Sequence, residues 1–511
     1  MGIARVASRA QLGLSAPRVA VEVHLGSGLP TFSIVGLPAT AVKESKDRVR
    51  AALQNCGFEF PAGRITVNLS PADLPKEGCR YDLPIALGIL LASGQVEFPD
   101  AVVKSAEFYG ELGLAGELQP IKGVLLAAAH AAREGRSVIV PAANLGEARV
   151  VALARAQGAA TLLDVCGLFA ARASVDAECA GIASLPVGHR DEPVSDLNDV
   201  RGQAGAKRAL LVAAAGGHSM LLVGPPGTGK SMLAQRLPGL LPSLEADEAL
   251  DVASIASVSA RGFDVVDYGR RPFRAPHHTA SASAIIGGGP QARPGEVSLA
   301  HRGVLFLDEL PEFNRSVLES LREPLETGTV AISRAALQVE YPARFQLIAA
   351  MNPCPCGYLG DPSGRCRCAP PEIARYRARI SGPLLDRIDL RVEVSAVPSE
   401  ELLGEAAPAS PLHSSRNAAA RVRRARDLQQ RRAGKLNAEL SGAELEDHCR
   451  LDRRCRLLLS QARARLTLSA RGVHRVLRIA RTIADLEEQS GPVGATHLAE
   501  ALQLRRFESY A

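Results

Sequence analysis

The sequence predicts an α/β fold built on a parallel sheet, and three observations carry that prediction. The first is a set of short apolar runs, Ser219 to Val223, Gly303 to Leu307 and Leu347 to Met351, each leading into residues able to meet a ligand. Continuous apolar runs of this length suit strands covered on both faces, as in parallel sheets. The second is Gly224, Pro225, Pro226, Gly227, Thr228, Gly229, Lys230 and Ser231, which match G-x-x-x-x-G-K-[ST] at every fixed position. The third is the helix-capable run Met232 to Leu237 directly after it. Strand, glycine-rich turn and helix in that order gather backbone N–H groups and a helix N-terminus around one anion.

Each element has its own reason. The glycines let the loop curl, Lys230 reaches the β- and γ-phosphates, and Ser231 holds Mg²⁺. A Gly/Pro turn carrying an incidental lysine would lack the flanking strand and helix. The second apolar run ends in Asp308 and Glu309, at the strand edge where α/β sheets bind ligands. Asp308 is expected to hold Mg²⁺ and Glu309 to polarise water, so hydrolysis of a nucleoside triphosphate is the expected chemistry. An acidic pair closing a strand is often only a turn, but here it follows a phosphate loop.

Composition divides the chain. Residues 1–180 alternate strand-like runs (Val19–His24, Thr31–Val35, Ile65–Leu69) with helical patterns over Ala41–Gln54, Leu83–Leu91 and Val124–Arg133, an α+β pattern. Residues 181–195 read as a linker, 196–395 as the central α/β unit, and 396–511 as a Pro/Ala/Ser-rich linker followed by helices dense in Arg, Leu and Ala. The net charge is +6, yet Arg416 to Arg481 holds 18 Lys/Arg against 6 Asp/Glu. Such a block fits a polyanion partner or a solvated basic helical face. Tryptophan is absent, which argues against base-stacking platforms. No apolar run reaches the ~20 residues that span a bilayer. The N-terminus lacks signal-peptide architecture, so a cytoplasmic protein with no membrane partner is expected.

Of ten cysteines, six are scattered and read as small buried hydrophobes. Cys354, Cys356, Cys366 and Cys368 form two close pairs joined by a Gly/Pro/Asp loop, a pattern able to wrap four thiolates around one zinc ion. The C-x-C spacing is tighter than the usual C-x-x-C, and free or redox-active thiols are the other reading.

Residues 195–511 resemble AAA+ ATPases, with motifs in that family's order. Asp199 to Gln203, with Val200, looks like the segment that packs on adenine. Asn352 matches sensor one, and Ser381 to Asp389 resembles the arginine-finger segment, with Arg387 as the finger. Ser469 to Arg475 resembles sensor two, with Arg475 preferred and Arg471 as the fallback. An internal pair of Arg387 with Asp386 or Asp389 is the other reading of the finger. Thr327 to Pro342 resembles a pre-sensor hairpin with its turn near Arg334, the expected DNA-gripping residue. His277 and His278 lie in a loop-rich insertion and are expected to be structural or channel-lining. The Ala275–His278 stretch, the Pro353–Gly357 cluster, Ser381–Arg387 and Ala480–Leu486 are similar to magnesium-chelatase-like AAA+ ATPases of the ComM/YifB family. That resemblance implies an AAA+ core with a C-terminal helical lid, using ATP and Mg²⁺. It implies a hexameric ring acting as a helicase or branch-migration motor on branched or single-stranded DNA, without sequence preference, in recombination and natural transformation. A magnesium-chelatase-type motor serving a protein or tetrapyrrole partner is the alternative. Leu74 to Asp82 resembles the serine-bearing loop of Lon-type proteases, but Arg80 fills the serine position and has no nucleophile to offer. Lys122 lies in a segment like the one carrying that family's lysine. The N-terminal region is therefore expected to be Lon-protease-like in fold and catalytically inactive.

Overall fold

Strict alternation of apolar residues builds the first sheet. β1 (Gly2–Arg9), β2 (Arg18–Gly26), β3 (Thr31–Val35) and β4 (Arg64–Ser70) form a four-stranded sheet in the order β1-β2-β4-β3. Val19, Val21 and Val23 of β2 and Ile65, Val67 and Leu69 of β4 turn to one face and are buried there. That face meets helix α1 (Ser45–Asn55) and helix α2 (Asp82–Ser93), the latter buried at every position from Asp82 to Leu90. Each such buried Leu or Ile contributes about 1.5–3 kcal/mol. A second, parallel sheet joins β5 (Ala106–Phe108), β6 (Ser137–Pro141) and β7 (Arg155–Ala159), with helix α3 (Val124–Arg133) between β5 and β6.

The computed structural model describes residues 2–151, 154–170, 196–289, 291–334, 337–360, 364–397, 414–466, 468–489 and 491–505. The 181–195 linker and most of the 396–415 stretch lie outside them. The described residues fall into two compact units. One joins those up to 190 with Ala246–Gly269, and the other contains the rest. This departs from the sequence boundaries, which assign 246–269 to the central unit. The reason is packing: Leu250, Ala253, Phe263, Val265 and Tyr268 cover Val124, Leu125 and Ala128 of α3. Ser257 also donates to the buried Glu147.

In the other unit five strands run parallel. They are β8 (Met220–Val223), β9 (Phe273–Arg274), β10 (Val304–Leu307), β13 (Gln346–Met351) and β14 (Leu390–Glu393), in the order β9-β10-β13-β8-β14. β8, β10 and β13 are buried throughout; β8 and β10 are unbroken apolar runs, and β13 is one after its first residue, Gln346. Between β10 and β13 lies an antiparallel pair, β11 (Thr329–Arg334) and β12 (Leu337–Pro342), in which Arg334 opposes Leu337.

Helix α4 (Ala204–Gly216) precedes β8, and α5 (Lys230–Arg236) follows the glycine-rich loop. Helix α6 (Pro370–Arg377) lies between the cysteine pairs and β14. The tail contributes α7 (Ser415–Ala433), α8 (Arg453–Arg465), α9 (Ala470–Leu486) and α10 (Ala495–Gln503). Ala418, Val422 and Ala425 of α7 and Val476, Ile479 and Ile483 of α9 share one core with Leu210 and Ala214 of α4.

The basic block divides by role. Arg416, Arg423, Arg431, Arg453, Arg454, Arg456, Arg463 and Arg465 face solvent. Arg432 and Arg481 instead bind the buried Asp485, which also accepts from Asn437. Thr482, beside them, bonds His218 at 2.8 Å. The Ala480–Leu486 motif is therefore an internal polar knot that holds the tail.

Candidate functional site

β8 delivers the chain into the glycine-rich loop at the sheet's C-terminal edge. Gly227 and Gly229 hold φ of 78° and 86°, a region that a side chain would strain. Positive φ at these two points turns the loop around the start of α5. Lys230 is buried, and its ammonium donates to the carbonyls of Gly224 and Pro225, both at 2.7 Å, and to Asn352 Oδ1 at 3.2 Å. Burial lowers its pKa, opposed by the charges of Asp308 and Glu309. Thr228 donates to Pro225 O at 2.9 Å and braces the curl.

The parallel register brings the other groups in. Gly224 N–H donates to Met351 O, so β13 ends beside the loop and Asn352 emerges against Lys230. β10 places Asp308 next to Ser231, whose hydroxyl donates to Asp308 Oδ2 at 2.6 Å. These two hard oxygen donors converge as a Mg²⁺ site demands. Gln203, at the start of α4, donates to Thr228 O at 3.3 Å and to Ser395 O at 2.6 Å. The 199–203 segment thus touches the loop, and Val200 within it is buried.

Two placements were not legible in the sequence. Glu309 has φ 52°, a strained conformation for a residue with a side chain, and its carboxylate lies 3.1 Å from His278 Nδ1. β9 pairs with β10 as Phe273 to Val304 and Arg274 to Leu305. Extending that register past the strand ends puts residue 278 beside residue 309. The His277 ring lies against that of His278, tilted by 33°, with ring centroids 4.1 Å apart. The histidine pair, read from sequence as structural or channel-lining, therefore holds the residue expected to activate water.

Arg387 is the second case. Its side chain is 10% exposed, pairs with Glu326 and donates to Pro383 O at 2.7 Å. The sequence alternatives for an internal partner, Asp386 and Asp389, are both replaced by Glu326. Asp389 is spoken for: Arg475 donates to it at 2.6 Å and His218 lies 3.4 Å away. Against the upward push of burial, these partners hold its carboxyl well below the usual carboxylate range. Arg475 also donates to the Arg387 carbonyl at 3.0 Å. Arg387, Arg471, Arg475 and Arg478 line a cavity of about 210 Å³ with Glu326 and Asp386.

The remaining sequence candidates are placed as follows. Arg334 ends β11, and its side chain lies outside the described residues. The Sγ atoms of Cys354, Cys356, Cys366 and Cys368 all lie within 4.8 Å of one another. The Tyr358 backbone N–H draws the Cys356 thiol down to about 6. In the N-terminal unit, Arg80 is buried and donates to Gln11 Oε1 at 2.7 Å and Lys122 O at 2.9 Å. The Lys122 ammonium donates to Ala260 O at 2.6 Å.

A parallel sheet with a phosphate-type loop, an acidic strand end and a neighbouring polar strand end defines a nucleotide-binding α/β protein of the AAA+ type. The family follows from comparison with known proteins. Residues 196–402 match the model of magnesium chelatase subunit ChlI, 21–144 that of subunit ChlI of Mg-chelatase, and 412–505 that of the ChlI C-terminal region. The chain is 47% identical over 506 residues to competence protein ComM of Haemophilus influenzae, covering 99% of this chain and 98% of that one. It is 45% identical over 517 residues to YifB of Escherichia coli, covering 99% and 98%. Against the magnesium-chelatase 38 kDa subunit of Rhodobacter capsulatus it is 30% identical over 183 residues, 32% of this chain and 52% of that one. The chain belongs to the magnesium-chelatase-like ComM/YifB family. Among the described residues no helix is long and apolar enough to cross a membrane.

Proposed function

We propose that this chain is a cytoplasmic ATPase that works as a homo-oligomeric ring, a hexamer, and drives movement on branched DNA during natural transformation. The observation carrying this reading is the convergence of Lys230, Ser231, Asp308, Glu309 and Asn352 in a chain similar from end to end to a competence protein. The chelatase-type alternative rests on the chelatase family models and on a relative 30% identical over a third of the chain, against 47% over nearly all of it for the competence protein.

In this reading the loop N–H groups and Lys230 bind the triphosphate, and the 199–203 segment with Val200 receives the adenine. Ser231 and Asp308 hold Mg²⁺, which when bound supplies charge neutralisation at the phosphates. Glu309 accepts the proton of the attacking water, and the Asn352 amide orients that water without adding charge. Arg387 and Arg475 share one cavity wall, which supports both reaching the nucleotide of an adjacent protomer as finger and sensor two. The exposed arginines of α7 and α8 offer phosphate contacts, with Arg334 on its hairpin gripping the strand. The N-terminal unit, with Arg80 in place of a serine, serves as a non-proteolytic Lon-like collar.

The four thiols fit zinc. Ligands about 2.3 Å from one ion in a tetrahedron lie about 3.8 Å apart. Cys354 to Cys356 is 3.4 Å, Cys354 to Cys366 is 3.8 Å and Cys356 to Cys366 is 3.7 Å.

Four-way or forked DNA is expected to raise the ATPase rate, and DNA affinity is expected to fall steeply with salt because phosphates are the target. Steady-state hydrolysis and filter binding at graded salt measure both. A rate and assembly state indifferent to DNA would remove the motor reading. Lys230→Ala takes a buried, hydrogen-bonded cation from the loop and is expected to weaken nucleotide binding by about 2–5 kcal/mol, roughly 30- to 4,000-fold. Titration with a fluorescent ATP analogue checks it, and unchanged affinity would overturn the role of Lys230.

A further inference from the structure

The thiol cluster is built into the wall of the nucleotide pocket. Two residues after Asn352 the chain reaches Cys354, which is fully buried. A turn closes from Cys354 to Gly357, whose N–H donates to Cys354 O at 3.0 Å. Gly357 holds φ +85°, and a Cβ there would lie 2.8 Å from Pro226 Cδ and 3.8 Å from Asn352 Cγ. The turn therefore rests directly on the glycine-rich loop, with no room for a single added carbon.

The far side of the cluster returns to the same place. After Cys368 the chain enters α6, where Arg377 donates to Pro353 O at 3.3 Å. The Asn352 backbone also bonds the Tyr376 side chain. Both ends of the 353–377 segment thus clamp the residue that bonds Lys230. Within the loop, Arg365 lies over the Tyr358 ring at 4.2 Å. Between these anchors the four sulfurs lie close enough to be joined through one ion.

We propose that the metal-loaded thiol knuckle braces the nucleotide pocket, holding Pro226 and Asn352 in the geometry that binds and hydrolyses ATP. This inference rests on the zinc reading given above. Zinc would then be a structural requirement of the ATPase site, held by Cys354, Cys356, Cys366 and Cys368, with no part in the chemistry. Four thiolates drawn to one ion fix the Cys354–Gly357 turn, and that turn presses on Pro226. Without the ion the four sulfurs no longer cross-link the turn, which is then free to relax away from the loop.

The test uses the full chain. Zinc content of protein purified without added metal is measured by plasma mass spectrometry. Affinity for a fluorescent ATP analogue, kcat and the far-ultraviolet dichroism are recorded before and after stripping with a thiol-reactive mercurial and a chelator. One zinc per chain is expected, and stripping is expected to weaken nucleotide affinity or kcat about tenfold to a hundredfold, the scale of an ångström misplacement in a site. Re-addition of zinc under reducing conditions is expected to restore both. Gly357→Ala leaves all four thiols in place, so it is expected to keep its zinc and still lose nucleotide affinity or kcat. If stripping unfolds the chain, this variant decides at full metal content. Protein without zinc would overturn both the metal reading and the brace. Zinc present, with stripping or Gly357→Ala leaving affinity and kcat within twofold, would overturn the brace alone.

Discussion

Arg387→Ala is expected to lower kcat by about 10³- to 10⁵-fold, the range of a lost arginine finger, while leaving nucleotide affinity near that of the parent chain. The asymmetry follows from geometry. Lys230, Ser231 and Asp308 meet one another at the sheet edge, whereas Arg387 belongs to a separate arginine-lined cavity with Arg471, Arg475 and Arg478. A guanidinium that acts on the γ-phosphate of an adjacent protomer is felt in the transition state and hardly in binding. A merely structural Arg387 would act through Glu326, its side-chain ion-pair partner. Glu326→Ala separates the two accounts, since it removes that pair and leaves the finger. Full activity in Arg387→Ala, or equal losses in Arg387→Ala and Glu326→Ala, would remove the finger role. Mixing supplies a second readout. Lys230→Ala and Arg387→Ala protomers, each inactive alone, are expected to recover turnover together, because one keeps a sound finger and the other a sound loop.

Glu309→Gln is expected to lower kcat by about 10²- to 10⁴-fold while ATP stays bound, as loss of a general base predicts. The amide keeps the shape of the side chain and removes its ability to take a proton. Its backbone φ of 52° is set by the turn after β10, so the substitution leaves the Asp308–Ser231 bond undisturbed. Single-turnover mixing followed by separation of bound nucleotide distinguishes trapped ATP from ADP. Rapid hydrolysis in the variant would reassign the base. His278 enters the same experiment, because its Nδ1 lies 3.1 Å from the Glu309 carboxylate. A His278→Ala variant that changes kcat without changing nucleotide affinity would mark His278 as a positioning residue for Glu309.

Much of the molecule could be read in advance, for physical reasons that are local. A run such as Val304–Leu307 must be covered on both faces, and it is. Glycines at 227 and 229 announce a backbone that curls through positive φ. The strand at 64–70 follows the two-residue period, and the strand at 31–35 and the helices at 82–93 and 124–133 fall on the apolar runs that marked them. Four cysteines within fifteen residues were bound to meet, because the loop between the pairs is short. Charge counting was less informative. Of the basic block, Arg432 and Arg481 were consumed by a buried carboxylate that composition cannot pair.

What resisted reading depends on distant partners. Residues 246–269 look like part of the central unit, yet their apolar side chains found a better surface on α3, more than a hundred residues earlier. His278 reaches Glu309 through the register of two parallel strands, and register is a property of the sheet. Arg387 chose Glu326 over the nearer Asp386 and Asp389, because Asp389 had already been claimed by Arg475 and His218. Periodicity, loop chemistry and residue type are written into short stretches of chain. The pairing of charges and the docking of segments are settled by competition among many partners, and that competition takes place only in the folded molecule.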